Sequence, residues 1–179
     1  QPLYSIPPLP STISTLIISN TGLNPHNLNL SSLSLTNLSM SGLGITSIPT
    51  LTTSPWGLYL NLYNNPITDW SNLPSTGLRD LDIRGCHIDS LKKLPLVHAY
   101  RVQCGDPSLK SIEGLPNTLP ELRIDRYFNT SVESLHITKL PDSLNTLYIN
   151  GGYVSNGQGF PSIINIDSFP PALSSLEIR

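Results

Sequence analysis

Apolar residues in one stretch of the chain, residues 78–95, follow a spacing that neither a helix nor a strand produces. They stand at steps of 3, 2, 3, 2, 3 and 3 residues, and a proline ends the run. An α-helix would keep a period of 3.6 residues, and a strand would alternate strictly. The step of two fits a strand of a few residues, and the steps of three fit the bends around it. The stretch therefore predicts one coil of a solenoid if the pattern recurs.

The pattern recurs along the whole chain, and the intervals widen in the second half. Aligned on the position of Leu78, the coils start at Ile13, Leu35, Gly57, Leu78, Val97, Leu119, Leu144 and Leu173. The apolar pairs of the predicted strands are Leu16/Ile18, Leu38/Met40, Leu60/Leu62, Leu81/Ile83, Tyr100/Val102, Leu122/Ile124, Leu147/Ile149 and Leu176/Ile178.

This repeat predicts the fold class and the domain organisation. Residues 1–179 form a single β-rich solenoid of about seven full coils, with half-coils at both ends and no caps. A parallel β-sheet covers one face, and loops, extended segments and 3-10 turns cover the other. Little α-helix is expected, because the returning segments are short and end in proline, as at Pro49, Pro74 and Pro116.

The pattern resembles the leucine-rich repeat, Leu-x-x-Leu-x-Leu-x-x-Asn-x-Leu, over essentially the whole chain. The linking phrases LPSTGL (73–78), LPDSL (140–144) and FPPAL (169–173) look like the short, proline-marked repeats of bacterial surface and effector proteins. Residues 127–129 (YFN), followed by 140–144, also resemble the FNIP variant of some protists. The resemblance implies binding without catalysis and without a cofactor, and it names no ligand.

One departure from the family pattern concerns the asparagine that would hydrogen-bond the turn backbone from inside. It is present only at Asn65, so irregular turns are expected. Its equivalents in the other coils are Thr21, Leu43, Cys86, Gly105, Tyr127 and Gly152.

The distribution of charge is more informative than the net charge of −2, which gives no electrostatic reason to expect nucleic acid or an anionic membrane as partner. Residues 1–68 contain no Asp, Glu, Lys or Arg and are rich in Ser, Thr and Asn. Cytosolic proteins usually stay soluble through charged residues, so this composition favours an extracellular or cell-surface protein. Candidate N-glycosylation sites are Asn29, Asn37 and Asn129, although a chain of this composition also produces such motifs by chance.

Two further features bear on compartment. No run of 18 apolar residues exists, so no membrane span is expected. The sequence contains no basic–apolar leader, so either the chain is cytosolic or a signal was removed before Gln1. Cys86 and Cys104 lie in adjacent coils at nearly the same phase, and neighbouring strands lie about 4.8 Å apart. They are candidates for a disulfide, and the alternative is a free buried thiol at Cys86.

Catalytic and metal-binding patterns are weak. The four histidines, His26, His87, His98 and His136, fall in different coils and at different phases of the repeat. Asp80 and Asp82 share a phase, but two carboxylates on an open sheet usually form a solvated face, and a glycosidase would need a cleft to desolvate its acid. No Cys-x-x-Cys motif is present. The sequence predicts no enzyme, no metal site and no cofactor.

Outward strand positions predict a surface for recognition of a protein or glycan partner, with an ordinary polar sheet face as the alternative. Tyrosine and arginine dominate binding hot spots. The candidate residues are Tyr59, Asn61, Tyr63, Asp80, Asp82, Arg84, Arg101, Glu121, Arg123, Asp125 and Tyr148. The glycine-rich insert 153–160 is a second candidate, because loops on a rigid scaffold often carry function.

The two ends of the chain are complementary halves of a coil. Residues 3–10 (LYSIPPLP) read as a returning half, and residues 173–179 (LSSLEIR) read as a strand half. We therefore expect an extracellular structural or adhesive protein, as part of a longer repeat array or a head-to-tail filament. A truncated fragment explains the ends equally well. The alternative function is a recognition module that binds through its sheet face.

Overall fold

The computed structural model of the chain describes residues 5–95, 98–106, 108–125, 134–151 and 164–179. In these ranges the protein is a parallel β-solenoid without α-helix, which confirms the predicted fold class. Three 3-10 helices lie at Pro25–Asn27, Leu30–Ser32 and Leu91–Lys93. The strands are β1 Thr15–Ile17, β2 Asn37–Ser39, β3 Leu58–Asn61, β4 Leu78–Asp82, β5 Arg101–Cys104, β6 Glu121–Asp125, β7 Leu135–Ile137, β8 Thr146–Asn150, β9 Ile164–Ile166 and β10 Ser175–Ile178.

Eight of these strands form one parallel sheet in the order β1-β2-β3-β4-β5-β6-β8-β10. Each coil contributes one strand and places it beside the strand of the coil before it. The two longest coils each contain an additional strand, β7 and β9, and these pair in a separate parallel sheet. The wider intervals of the second half therefore accommodate a second two-stranded ladder.

The core is a ladder of apolar side chains that point inward from successive strands. Paired inner positions carry Leu38, Leu60, Leu81, Leu122 and Leu147, all buried. Each fully buried leucine stabilises the fold by about 1.5–3 kcal/mol. The ladder is shared between neighbouring coils, so no coil has a core of its own.

The register of the fifth coil differs from the sequence prediction. Val102 pairs with Leu81 and Leu122, and Cys104 pairs with Ile124, so Val102 and Cys104 are the inward pair. The predicted pair Tyr100/Val102 is wrong by two residues. Tyr100 is exposed and Cys104 is fully buried. Tyr100-x-Val102-x-Cys104 alternates in either register, and a cysteine behaves as a small apolar residue that suits the interior.

Asn65 performs the turn function that the repeat pattern assigns to it. Its buried Oδ1 accepts hydrogen bonds from the backbone N–H groups of Leu43 (3.0 Å) and Ile45 (3.3 Å) in the preceding coil. Its Nδ2 donates to the carbonyl oxygens of Met40 (2.9 Å) and Leu62 (2.8 Å). One amide side chain thus ties two consecutive turns together and satisfies backbone groups that would otherwise be buried without partners.

Cys86 occupies the same position one coil later, as the sequence predicts, and supplies the equivalent donor. Its Sγ donates to the carbonyl oxygen of Leu62 at 3.2 Å. The next turn is held differently. The buried carboxylate of Asp106 accepts from the N–H groups of His87 (2.7 Å) and Ser108 (3.0 Å).

The two cysteines are free and buried, so the predicted disulfide between Cys86 and Cys104 is not formed in the structure. The register explains the difference. The N–H of Ile83 donates to the carbonyl of Gln103, which places Cys104 beside Ile83, three positions before Cys86. Desolvation by burial raises the pKa of each thiol to about 12, so both stay protonated at neutral pH.

Candidate functional site: the outer face of the sheet

The outer face of the sheet consists of three rows of side chains that cross the strands. Strand pairing fixes the rows, since parallel partners stand side by side. The first row is Thr15, Asn37, Tyr59, Asp80, Arg101, Glu121, Thr146 and Ser175, and the second is Ile17, Ser39, Asn61, Asp82, Gln103, Arg123, Tyr148 and Glu177. The third lies beyond the strand centres and includes Tyr63, Arg84, Gly105, Asp125 and Asn150.

Arg101 of β5 joins the two neighbouring strands through ion pairs in the first row. Its Nη1 lies 2.9 Å from Asp80 Oδ2 on β4, and its Nε lies 2.7 Å from Glu121 Oε1 on β6. Gln103 Nε2 donates to the other oxygen of Asp80 at 3.1 Å. Both oxygens of Asp80 are thus occupied, and the carboxylate is buried under its partners.

Arg84 makes the corresponding connection in the third row. Its Nε (2.9 Å) and Nη2 (2.7 Å) donate to the two oxygens of Asp82, a bidentate arrangement. Its Nη1 reaches Asp125 Oδ2 on β6 at 2.9 Å. The hydrogen bonds to Asp82 raise the pKa of the guanidinium above its ordinary value, against the effect of desolvation. Arg84 therefore holds a fixed position on the face.

The ion pair between Arg84 and Asp125 spans β5, and Gly105 lies between them in the row. Gly105 adopts φ +149° and has no side chain to separate the two charged groups. A Cβ there would overlap the backbone carbonyl of Asp125. Asp125 is fully buried, and its Oδ2 also accepts from Arg123 Nε at 2.9 Å.

Tyrosine rings lie beside these arginines, each in contact with a guanidinium. Arg84 Cζ is 5.7 Å from the ring centre of Tyr63, and Arg123 Cζ is 4.1 Å from that of Tyr148. Arg79 Cζ is 5.3 Å from the ring centre of Tyr59. Arg79 is the additional residue of a β-bulge, because Leu58 pairs with Leu78 while Tyr59 pairs with Asp80.

The sequence identified most of this face but misplaced part of its geometry. All eleven candidate residues lie in the three rows. The predicted pairs Leu81/Ile83 and Tyr100/Val102 would set Arg101 beside Asp82, but Arg101 stands beside Asp80 because of the two-residue shift in the fifth coil. The expectation that Asp80 and Asp82 form an ordinary solvated pair is also wrong, since both are buried beneath arginines.

Sequence reasoning missed three residues in this part of the molecule. Arg79 lies on a bulge that no repeat pattern marks, and Asp106 was hidden by the shifted register, although the phrase Asp106-Pro107-Ser108 is a turn signal. Trp56 lies before β3, outside the repeat positions, and is 82% exposed. An isolated exposed tryptophan in a Ser-Pro-Trp-Gly turn was the available signal.

The other sequence-predicted sites fall in different places. Asn29 is exposed beside the second 3-10 helix, away from the sheet, and its Oδ1 accepts from Ser31 Oγ at 3.1 Å. Asn37 is exposed on β2, within the first row. Asn129 and the insert 153–160 lie outside the described residues. His26, His87, His98 and His136 do not form a common cluster; His136 Nε2 pairs with Asp167 Oδ1 at 2.6 Å.

Within the described ranges, no group of three or more His, Cys, Asp and Glu side chains is placed to hold a metal ion. The same residues contain no helix with the length and apolar character needed to span a membrane. Comparison of the chain with family models, with curated protein sequences and with solved structures finds no significant match.

Proposed function

We propose that this protein is a non-catalytic recognition module of the leucine-rich-repeat type, and that it binds a partner through the outer face of its sheet. One observation carries the proposal. Arginine and tyrosine side chains on β3 to β8 are fixed by ion pairs and ring contacts before any partner arrives.

Fixed side chains favour binding because they have already lost their rotamer freedom. Ordering a flexible side chain at an interface costs about 0.5–1.5 kcal/mol, and a held side chain avoids most of that cost. Tyr59 and Tyr63 remain 39% and 38% exposed, so their rings are open to a partner. The buried carboxylates of Asp80 and Asp82 form ion pairs with Arg101 and Arg84, so the exposed surface consists of tyrosine rings and the edges of guanidinium groups.

The proposal places the protein outside the cell or on its surface. The uncharged, hydroxyl-rich first half supports that placement, and so does the exposure of Asn29 and Asn37 in their sequons. In that setting the partner is an extracellular protein or a glycan.

An array of secreted proteins, cell-surface ectodomains and glycans, probed with the labelled chain, tests the proposal. Tyr59→Ala, Tyr63→Ala and Tyr148→Ala are compared with wild type, and Tyr100→Ala serves as the control because Tyr100 is exposed but outside the rows. We expect at least one row variant to weaken a wild-type signal about fivefold or more, as hot-spot truncations do. A set of ligands bound equally by all four variants would contradict the proposal.

A second candidate function, a structural array, is favoured by the outermost strand of the main sheet. Leu176 and Ile178 of β10 are 45% and 64% exposed, whereas their partners Leu147 and Ile149 on β8 are buried. Exposed apolar groups at core positions fit a coil of another molecule stacked against them. Sedimentation equilibrium across a hundredfold concentration range tests self-association, and Ile178→Glu is expected to abolish it.

A further inference from the structure

The outer face changes character at β3. On β1 and β2 its rows carry small uncharged side chains, mostly hydroxyls and amides. The third coil carries three aromatic residues, one on β3 and one each just before and just after it. We call the first group the shelf and the second the aromatic strip. The shelf is Thr15, Ile17, Ser19, Asn37, Ser39 and Ser41, and the aromatic strip is Trp56, Tyr59 and Tyr63.

The aromatic strip runs along one coil and faces the shelf. Tyr59 and Tyr63 are four residues apart, or about 13 Å along an extended strand. The guanidiniums of Arg79 and Arg84 contact these rings from the β4 side, at 5.3 and 5.7 Å. The opposite side of each ring is therefore turned toward β2. Trp56, 82% exposed, lies two residues before the start of β3.

The shelf offers hydrogen-bonding groups and one exposed apolar side chain, Ile17, and it carries no charge. Ser19 Oγ and Ser39 Oγ lie 2.7 Å apart, and Ser19 Oγ also accepts from the N–H of Ser41 at 3.2 Å.

No charged side chain occurs before Asp69 in the sequence, so β1, β2 and β3 carry none. On the shelf itself a charged ligand would lose hydration without a counter-ion on β1 or β2, because Arg79 and Arg84 contact the tyrosine rings from the β4 side. A neutral polar ligand would not meet that cost.

From these observations we propose that the shelf and the aromatic strip bind a neutral oligosaccharide. The inference rests on the proposed recognition function and specifies the ligand for one part of the face. A sugar ring presents hydroxyls at its edge and C–H groups on its faces. The negative face of a tyrosine or tryptophan ring attracts such C–H groups, and the shelf hydroxyls and amides pair with the sugar hydroxyls.

Binding to defined hexasaccharides tests the inference. The neutral probes are the hexasaccharides of cellulose, laminarin, chitin and mannan, and the acidic probes are hexagalacturonate and a heparin hexasaccharide. Titration calorimetry compares wild type with Trp56→Ala, Tyr59→Ala and the conservative Trp56→Phe. Tyr100→Ala is the matched control, since Tyr100 is exposed but lies outside the three rows.

We expect at least one neutral probe to bind. Tyr59→Ala and Trp56→Ala each weaken it about tenfold, Trp56→Phe restores part of the loss, and Tyr100→Ala leaves the affinity unchanged. Raising the salt concentration to 1 M should not reduce binding, because no ion pair is involved. Melting curves of all variants check that the fold is intact.

Other outcomes separate this inference from the broader proposal. The oligosaccharide inference is overturned if no neutral probe binds, or if Trp56→Ala and Tyr59→Ala do not weaken the binding of a neutral probe. If Tyr148→Ala still weakens an acidic probe or a protein ligand from the array, the recognition function stands. If no outer-face variant affects any ligand, both proposals fall.

Asn37 provides an independent check, because it lies on the shelf directly beside Tyr59. A glycan attached to Asn37 would cover the shelf. The titrations therefore use protein made without glycosylation. Protein glycosylated at Asn37 should not bind the probe that the unglycosylated protein binds.

Discussion

Gly105 shows how one missing side chain organises the outer face. It stands in the row between Arg84 and Asp125, which form an ion pair at 2.9 Å across β5. Its φ of +149° is a conformation that other residues rarely adopt. Sequence reasoning assigned Gly105 to the turn asparagine position, because the fifth coil was read two residues early. The close approach of two strand backbones was not visible in a one-dimensional pattern.

Gly105→Ala should therefore be severely destabilising. The new Cβ would overlap the carbonyl of Asp125, and the backbone of β5 or β6 must move. We expect a loss of about 3 kcal/mol or more in the free energy of unfolding, measured by urea denaturation. The control is Gly44→Ala, where φ is +70° but nothing lies within 4 Å of the added Cβ; it should cost only about 1–2 kcal/mol. Equal losses in the two variants would refute a steric role for Gly105.

Cys86 and Cys104 give a chemical prediction. The sequence placed Cys86 correctly at the turn asparagine position. It could not show which residue of the preceding coil Cys104 stands beside, because that depends on the register of β5. Because both thiols are buried with a pKa of about 12, neither should react with Ellman's reagent in the native protein at pH 8. Two thiols should react in guanidinium without reductant. No reaction in guanidinium would indicate the disulfide that the sequence suggested.

Because the thiols are buried, the free energy of unfolding should fall when the pH rises above 9. In the folded protein the pKa of Cys104 is raised from 9.0 to about 12. The contribution of Cys104 to the free energy of unfolding is therefore complete below pH 9 and falls as the pH rises toward 12. Cys104→Val, which keeps an apolar side chain beside Ile83 and Ile124, removes the titrating group. Between pH 9 and 11 wild type should lose on the order of 1–3 kcal/mol more than the variant in urea denaturation. If the free energies of unfolding of wild type and Cys104→Val changed in parallel with pH, the thiol would not contribute to the pH dependence.

At the scale of elements, β4, β5 and β6 are joined by side chains as well as by backbone hydrogen bonds. Arg101 links both neighbours of β5, and Arg84 links β4 to β6. The repeat pattern predicted which side chains face outward, since alternation along a strand is a property of the sequence. It could not predict the partners, because an arginine reaches several carboxylates and the bulge at Arg79 changes which ones stand alongside.

Substitution of Arg84 should show whether its ion pairs stabilise the fold or are ordinary surface charges. Arg84→Met leaves Asp82 without its bidentate partner and leaves the buried Asp125 with Arg123 alone. We expect a loss of about 2–4 kcal/mol, because breaking a buried pair leaves an uncompensated charge. Lys92→Met is the matched control: Lys92 pairs with Glu113, but both side chains are exposed, so a change within about 0.5 kcal/mol is expected. If both variants behaved alike, the network would be no more than a solvated surface.

For the whole molecule, the fold was predictable because a solenoid repeats one local pattern many times. The pattern recurs at eight starting positions in the sequence, so the error in the register of the fifth coil did not affect the predicted architecture. The second sheet, β7 and β9, was not predicted, since its strands occur only in the longer coils, where inserted residues obscure the pattern. Function was less accessible, because binding depends on which outer side chains are fixed and which are open.

Leu81 and Leu176 occupy the same repeat position at the centre and at one edge of the sheet, and together they report whether β10 is covered in solution. Leu81 is fully buried, whereas Leu176 is 45% exposed in the single molecule. Leu81→Ala should cost about 2–5 kcal/mol in the free energy of unfolding, and Leu176→Ala less than about 1.5 kcal/mol in dilute protein. If further coils of another molecule stack on β10, the cost of Leu176→Ala will rise with protein concentration toward that of Leu81→Ala. A cost that stays small and constant from 1 to 100 times the lowest concentration would argue against the structural array and leave recognition through the outer face as the function to pursue.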